Sequence, residues 1–175
     1  MSGSFDAAAV ATAEELRLRT FTSETAFLLG SCLRKHIRSK YAGQPAIIDI
    51  RSAVQEQQLF FATCAEGSLP DNAFWAQRKR NAVLRFGKST AALNLKWGNA
   101  GVPAHYGVDN TQFACHGGGF PLRVKGVESL VGVVVVSGLK QEEDHQVIVD
   151  VLAEVIDEQE MELAAQRGAT GAGAQ

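Results

Sequence analysis

Ala46-Ile47-Ile48-Asp49-Ile50, the polar interval Ser52 to Gln57, and Gln58-Leu59-Phe60-Phe61-Ala62-Thr63-Cys64 together decide the fold class of this 175-residue chain. The two outer segments are of strand length and rich in β-branched or aromatic residues. About six residues join them, which suits a hairpin and leaves no room for the crossover helix that a parallel pair requires. The pair therefore reads as antiparallel, and a doubly wound parallel sheet is disfavoured.

Upstream of this hairpin, Ala26, Leu29 or Gly30, Leu33 and Ile37 recur at helical spacing after Thr22 or Ser23 as N-cap, and Arg34, Lys35, Arg38 and Lys40 suit the negative C-terminal end of a helix dipole. A helix is expected from Ser23 to Lys40. Before it, Leu16-Arg17-Leu18-Arg19-Thr20 alternates apolar and charged residues, as a short edge strand does. The first 15 residues are alanine-rich, and Thr12-Ala13-Glu14-Glu15 has the spacing of a capping box. They are expected to be a loosely ordered segment with a short helix.

Downstream, Glu66 to Asp71 is turn chemistry leading into a helix, with Asp71 as its expected cap and Gly87 as its end. Trp75, Lys79, Ala82 and Phe86 share one side of that helix, and Arg78, Asn81 and Arg85 share another. Ser89 to Lys96 suits a further helix, followed by a loop from Trp97 to Gly119. A loop of that length has a task or packs on a neighbour. Phe120 to Lys125 and Leu130 to Ser137 read as two more strands, the second apolar on both faces and therefore central and covered. A last helix starts near Glu142, with Val147, Ile148, Val151, Leu152, Val155 and Ile156 as its apolar stripe. Five strands with helices around them make an α+β fold with a central antiparallel sheet. The expected organisation is a single domain over residues 16–162 and a flexible tail over 163–175.

With 46% hydrophobic residues the chain can build a substantial core, and no apolar run approaches membrane-spanning length. The first 13 residues lack a basic start followed by an apolar block, so a cytoplasmic location is expected. Three cysteines, Cys32, Cys64 and Cys115, are too few and too scattered for a disulfide framework or a local zinc site. A net charge of −2 argues against a nucleic-acid partner. The charge is nevertheless segregated. Asn72 to Val108 carries six basic residues and no acid, whereas Glu142 to Glu162 carries nine acids and no Lys or Arg. Such faces complement each other within a fold, between subunits or toward partners, or are simply solvated.

The chemistry-bearing stretch is His116-Gly117-Gly118-Gly119-Phe120-Pro121, with Arg123 two residues on. Two readings stand side by side. The glycines bring main-chain N–H groups near a ligand with His116 beside them, or they make a tight entry into a strand whose histidine is merely packed. Arg78 and Arg85 are spaced to present guanidinium groups to carboxylates or phosphates, or to the acidic helix of another subunit. His145, in the first turn of the last helix, is expected neutral and able to accept or ligate, or else solvated. Covalent catalysis is disfavoured, because Cys115 and His116 as strand neighbours point to opposite faces and no Gly-x-Ser-x-Gly elbow exists. The phosphate-loop pattern fails as well, since Ala82 stands where its first glycine belongs.

Several separated motifs, in order, resemble the haem-degrading-domain superfamily with its GlcG and HbpS-like proteins. They are Trp75 with Arg78-Lys79-Arg80-Asn81 and Phe86, Tyr106-Gly107-x-Asp109, His116 to Val124, Gly132 to Val136 with Ser137-Gly138-Leu139, and Glu143-Asp144-His145. The resemblance covers roughly Leu16 to Glu160 and is nearest to a branch of cytosolic proteins. It implies a profilin-like fold, a five-stranded antiparallel sheet with helices on its faces, and homo-oligomers built from dimers. Some relatives bind haem or iron.

The expected function is thus an oligomeric binding protein with haem or another small anion as ligand. Its candidate site residues are His116, Gly117, Gly118, Gly119, Arg123, Arg78 and His145, with no resident metal ion. The alternative is a non-enzymatic oligomer presenting acidic helices and tails to protein partners. Whether the chain is an enzyme is left open, with His116 or His145 as general base if it is.

Overall fold

The structure is a computed structural model and describes residues 5–171. In chain order its elements are α1 (Ala7–Ala13), α2 (Ser23–Lys40), β1 (Ile47–Ser52), β2 (Gln58–Thr63), α3 (Pro70–Phe86), α4 (Thr90–Trp97), a 3₁₀ turn (Ala104–Tyr106), β3 (Gly119–Leu122), β4 (Gly132–Ser137) and α5 (Gln141–Gly171). The expected hairpin forms, with Ile47 opposite Thr63 and Ile50 opposite Phe60. The sheet order is β2-β1-β4-β3, and every neighbouring pair is antiparallel. Among the described residues no helix is long and apolar enough to cross a membrane.

The period of two along each strand sorts the core into two layers. Ile48, Ile50, Phe120, Leu122, Val134 and Val136 face the layer built from α2 and α5, where Leu29, Leu33, Ile37, Ile148 and Leu152 are buried. Ile47, Val133 and Val135 face α3, against Ala76 and Val83. Covered on both sides, β4 is buried at every position, as its unbroken valine run requires.

The sheet has four strands where the sequence pattern suggests five. The alternating segment Leu16–Thr20 does reach the edge beside Val124, but as a single parallel bridge at Leu18. Its neighbours spend their backbone groups elsewhere: the Leu16 N–H donates to the Ala13 carbonyl, and the Arg19 N–H donates to Gln159 Oε1 at 2.8 Å. Only Leu18 is left to exchange hydrogen bonds, with Arg123 and Lys125.

Three helix ends also differ from expectation. Asp6, not Thr12, caps α1, accepting from the Ala8 and Ala9 N–H groups, while the Thr12 hydroxyl donates to the Ala8 carbonyl in the last turn. α3 begins one residue before Asp71, at Pro70, with Leu69 as N-cap and the Asn72 side chain accepting from the Leu69 N–H. Proline at the first helical position needs no N–H partner, which fixes that start. α5 runs past Glu162 to Gly171, and residues 172–175 of the expected tail lie outside the described residues.

The long connection after α4 packs on its own chain. Trp97 and Tyr106 enclose Phe86 at ring centroid distances of 5.0 and 5.6 Å, and Val102 and Cys115 are buried beside Ala82 and Leu93. Asn81 and Arg78 fasten the returning loop by donating to the carbonyls of Gln112 and Asn110.

Candidate functional site

His116 closes this loop at the start of the approach to β3. Its half-buried ring meets Trp75 of α3 edge to face, with centroids 5.0 Å apart. The Arg78 guanidinium lies over the other ring system's face, 4.3 Å from the Trp75 centroid. Burial, then the charges of Lys79 and Arg78, hold the His116 pKa below its ordinary value. The imidazole is therefore neutral near pH 7, and its Nδ1 is buried with no hydrogen-bond partner among the described residues. A neutral imidazole with an unused nitrogen is a ligand for a soft or borderline metal centre or an acceptor for a proton. Arg78 is partly committed, donating from Nη2 to the Asn110 carbonyl at 2.9 Å, while its Nε is buried without a partner.

The three glycines do not form an open cradle. A Cβ on Gly117 would stand 2.3 Å from the Gln141 carbonyl oxygen and 2.6 Å from the Phe5 ring. On Gly118, whose φ is +111°, it would stand 2.3 Å from the Val136 carbonyl oxygen and 2.8 Å from Lys79 Nζ. Gly119 is wedged between Thr90, Val83 and Lys79, and its N–H donates to the Thr90 hydroxyl. Each absent side chain is replaced by the protein's own atoms. The glycines let α3, α4, α5 and β4 converge on the strand entrance.

What they converge on is a buried ion pair. Lys79 Nζ lies 2.8 Å from Asp144 Oδ2, both side chains 3% exposed, and donates to the Val136 carbonyl at 3.1 Å. Asp144 Oδ1 accepts from the Leu139 N–H. Burial pushes the Asp144 carboxyl up, against the pull of Lys79 and of the main-chain donors. A second charged cluster sits on the same sheet face, where buried Asp49 accepts from Arg80 (2.8 Å), Arg51 and Gln58. The sequence marks both clusters faintly: Asp49 interrupts an isoleucine run, and Lys79 falls on the apolar side of its helix. Neither mark says which opposite charge comes to meet it.

The structure separates the remaining candidates. Arg123 lies at the far end of α3, where its Nη2 donates to the Gly87 carbonyl and its Nη1 to that of Glu128. Trp75 and Gly87 are about 18 Å apart along the helix at 1.5 Å per residue, so Arg123 and His116 do not share a site. Arg85 is exposed on the same turn as that end. His145 is buried rather than solvated, in contact with the rings of Phe5 and Phe120, and desolvation takes its pKa to about 4. It is a neutral core residue. Among the described residues, no three His, Cys, Asp or Glu side chains converge to hold a metal ion.

Residues 21–153 match the family model described as haem-degrading protein, HbpS-like. A UPF0303 protein of Rhizobium meliloti is 39% identical over 145 residues, covering 82% of this chain and 85% of its own. Among solved structures, that of the Ybr137w protein superposes with a TM-score of 0.81 at 32% identity, covering 86% of this chain and 88% of its own. A PduOC:heme complex superposes with a TM-score of 0.59 at 16% identity, covering 77% and 94%, a likeness of fold.

Proposed function

The chain belongs to the HbpS-like haem-degrading protein family, and on that premise we propose that it is a binding protein for haem or a similar small anionic ligand, taken at His116. One observation carries the reading: the His116 imidazole is neutral, half-buried beside Trp75 and Arg78, and holds a nitrogen with no internal partner. His145, by contrast, is enclosed by the core. Haem, when bound, would supply an iron centre for redox chemistry. His116 would hold the iron through its imidazole, Trp75 would offer an apolar edge to the ring, and Arg78 a cation to a propionate. Gly117 to Gly119 position His116 and make no room for the ring. A haem complex of a protein with the same fold supports the choice of ligand.

The same reading takes the protein as a cytoplasmic homo-oligomer built from dimers. The unpaired outer edge of β2, with Phe61 exposed next to Phe74, supports such association. Titration with haemin, followed by the Soret band, tests the ligand. A shifted band that Arg78→Ala weakens and His116→Ala abolishes is expected. An unshifted band, or one indifferent to His116→Ala, refutes the assignment.

A further inference from the structure

A concavity lies away from His116, where α1 crosses α4 and the end of α3. It has a volume of about 570 Å³, within the range of small-molecule sites. Phe86, Leu93, Leu95, Trp97 and Tyr106 supply its apolar wall, and Val10 of α1 closes the opposite side. The wall is rigid, because Phe86, Trp97 and Tyr106 pack ring against ring with centroids 5.0 to 5.6 Å apart. Leu95 remains 42% exposed at the rim although it belongs to this apolar surface. The long loop thus does more than cover α3: it carries Tyr106 to one wall of a cleft.

Glu14, Glu15, Lys88 and Lys96 line the cleft, two acids and two bases, and Glu15 is paired with a residue outside the lining. Glu14 is buried, accepts from the Ser89 N–H at 2.8 Å and faces Lys88 Nζ at 3.6 Å. Glu15 faces Arg17 at 3.6 Å. Lys96 lies 5.0 Å from the Trp97 ring centroid and, among the described residues, has no carboxylate within ion-pair distance. One cation is therefore left over beside an aromatic wall.

We infer that this cleft, formed by α1, α4 and the Trp97–Tyr106 segment, is a second binding site that takes a monoanionic apolar molecule, such as an aryl or short-chain carboxylate or sulfonate. The apolar body lies on Trp97, Phe86 and Leu93, and the anionic group meets Lys96. The inference is independent of the haem reading, since His116 is not part of the cleft.

The two tryptophans separate the sites experimentally, because Trp75 adjoins His116 and Trp97 lines the cleft. The probe is anilinonaphthalene sulfonate, with neutral phenylnaphthylamine as its uncharged counterpart. In the full chain, energy transfer to the bound anionic probe is expected to fall far more in Trp97→Phe than in Trp75→Phe, because Trp97 lines the cleft and Trp75 lies more than ten residues along α3 from Phe86 in its wall. Lys96→Glu, at an exposed position that leaves the fold intact, is expected to weaken the anionic probe about tenfold and the neutral one less than about twofold. Leu95→Ser weakens both. No binding, affinity indifferent to Lys96→Glu, or transfer that follows Trp75 instead of Trp97 overturns the inference. None of these results bears on whether haemin binds at His116.

Discussion

His145 makes stability fall as the pH is lowered through a defined window, and the size of the effect follows from its surroundings. Its folded-state pKa is about 4, against an ordinary 6.5, because the ring is buried between Phe5 and Phe120. A depressed histidine pKa means that the unfolded chain takes up a proton which the folded chain refuses. Stability is therefore full above about pH 6.5 and is lost as the pH falls toward 4. At about 1.36 kcal/mol per pH unit, the full effect is roughly 3 kcal/mol, most of which is gone by pH 4.5. With a urea m-value of about 2 kcal/mol/M, the unfolding midpoint falls by about 1 M between pH 7 and pH 4.5 through this residue alone. The raised carboxyl of neighbouring Asp144 acts in the opposite direction, so the contribution of His145 must be read as a difference between proteins. His145→Leu preserves the apolar contacts without the titrating group. Urea unfolding of both proteins at pH 7, 6, 5 and 4.5 is expected to show the native chain losing ground to the variant as the pH falls. Parallel curves across that range would refute the account.

Other outcomes follow from the buried seam beside His116. Lys79→Met should cost about 3–5 kcal/mol by stranding Asp144, and Lys79→Met/Asp144→Leu should recover most of it in chemical denaturation. Gly118→Ala should be the most damaging single methyl in the chain's glycine loop, lowering stability by more than about 3 kcal/mol or preventing folding. Gly43→Ala, at a φ of +79° but with open space around it, should cost only about 1 kcal/mol in the same assay. Burial pushes the Cys64 and Cys115 thiols up to about 11, so both should resist an aromatic disulfide reagent at pH 8 until the protein is unfolded. Rapid modification of either in the native state would contradict their placement.

Most of the architecture was legible because its signals are local. The hairpin around Ser52–Gln57, the valine run of β4 and the stripe of α5 each follow from a period of two or 3.6 within one segment. The bounds of α2 follow from Thr22 as cap and the basic residues at its end. Of the candidate residues, His116 and Arg78 do meet, around Trp75, while Arg123 and His145 serve a helix end and the core. Spacing along the chain could not separate these, because Arg123 is near His116 in sequence and at the other end of α3 in space.

The sequence by itself determined the fold class, the antiparallel hairpin, the bounds of α2 and the placement of α3, α4 and α5 short of their exact ends, since side-chain periodicity and chain punctuation act over a few residues. Only the tertiary structure decided that Leu16–Thr20 is one bridge and not a fifth strand, because its backbone partners at Ala13 and Gln159 come from other elements. It also decided that the glycines of residues 117–119 are filled by Gln141, Val136, Thr90 and the Lys79–Asp144 pair instead of opening to a ligand. Glycine permits close approach without saying what approaches. That identity depends on which distant segments the core brings to the same point.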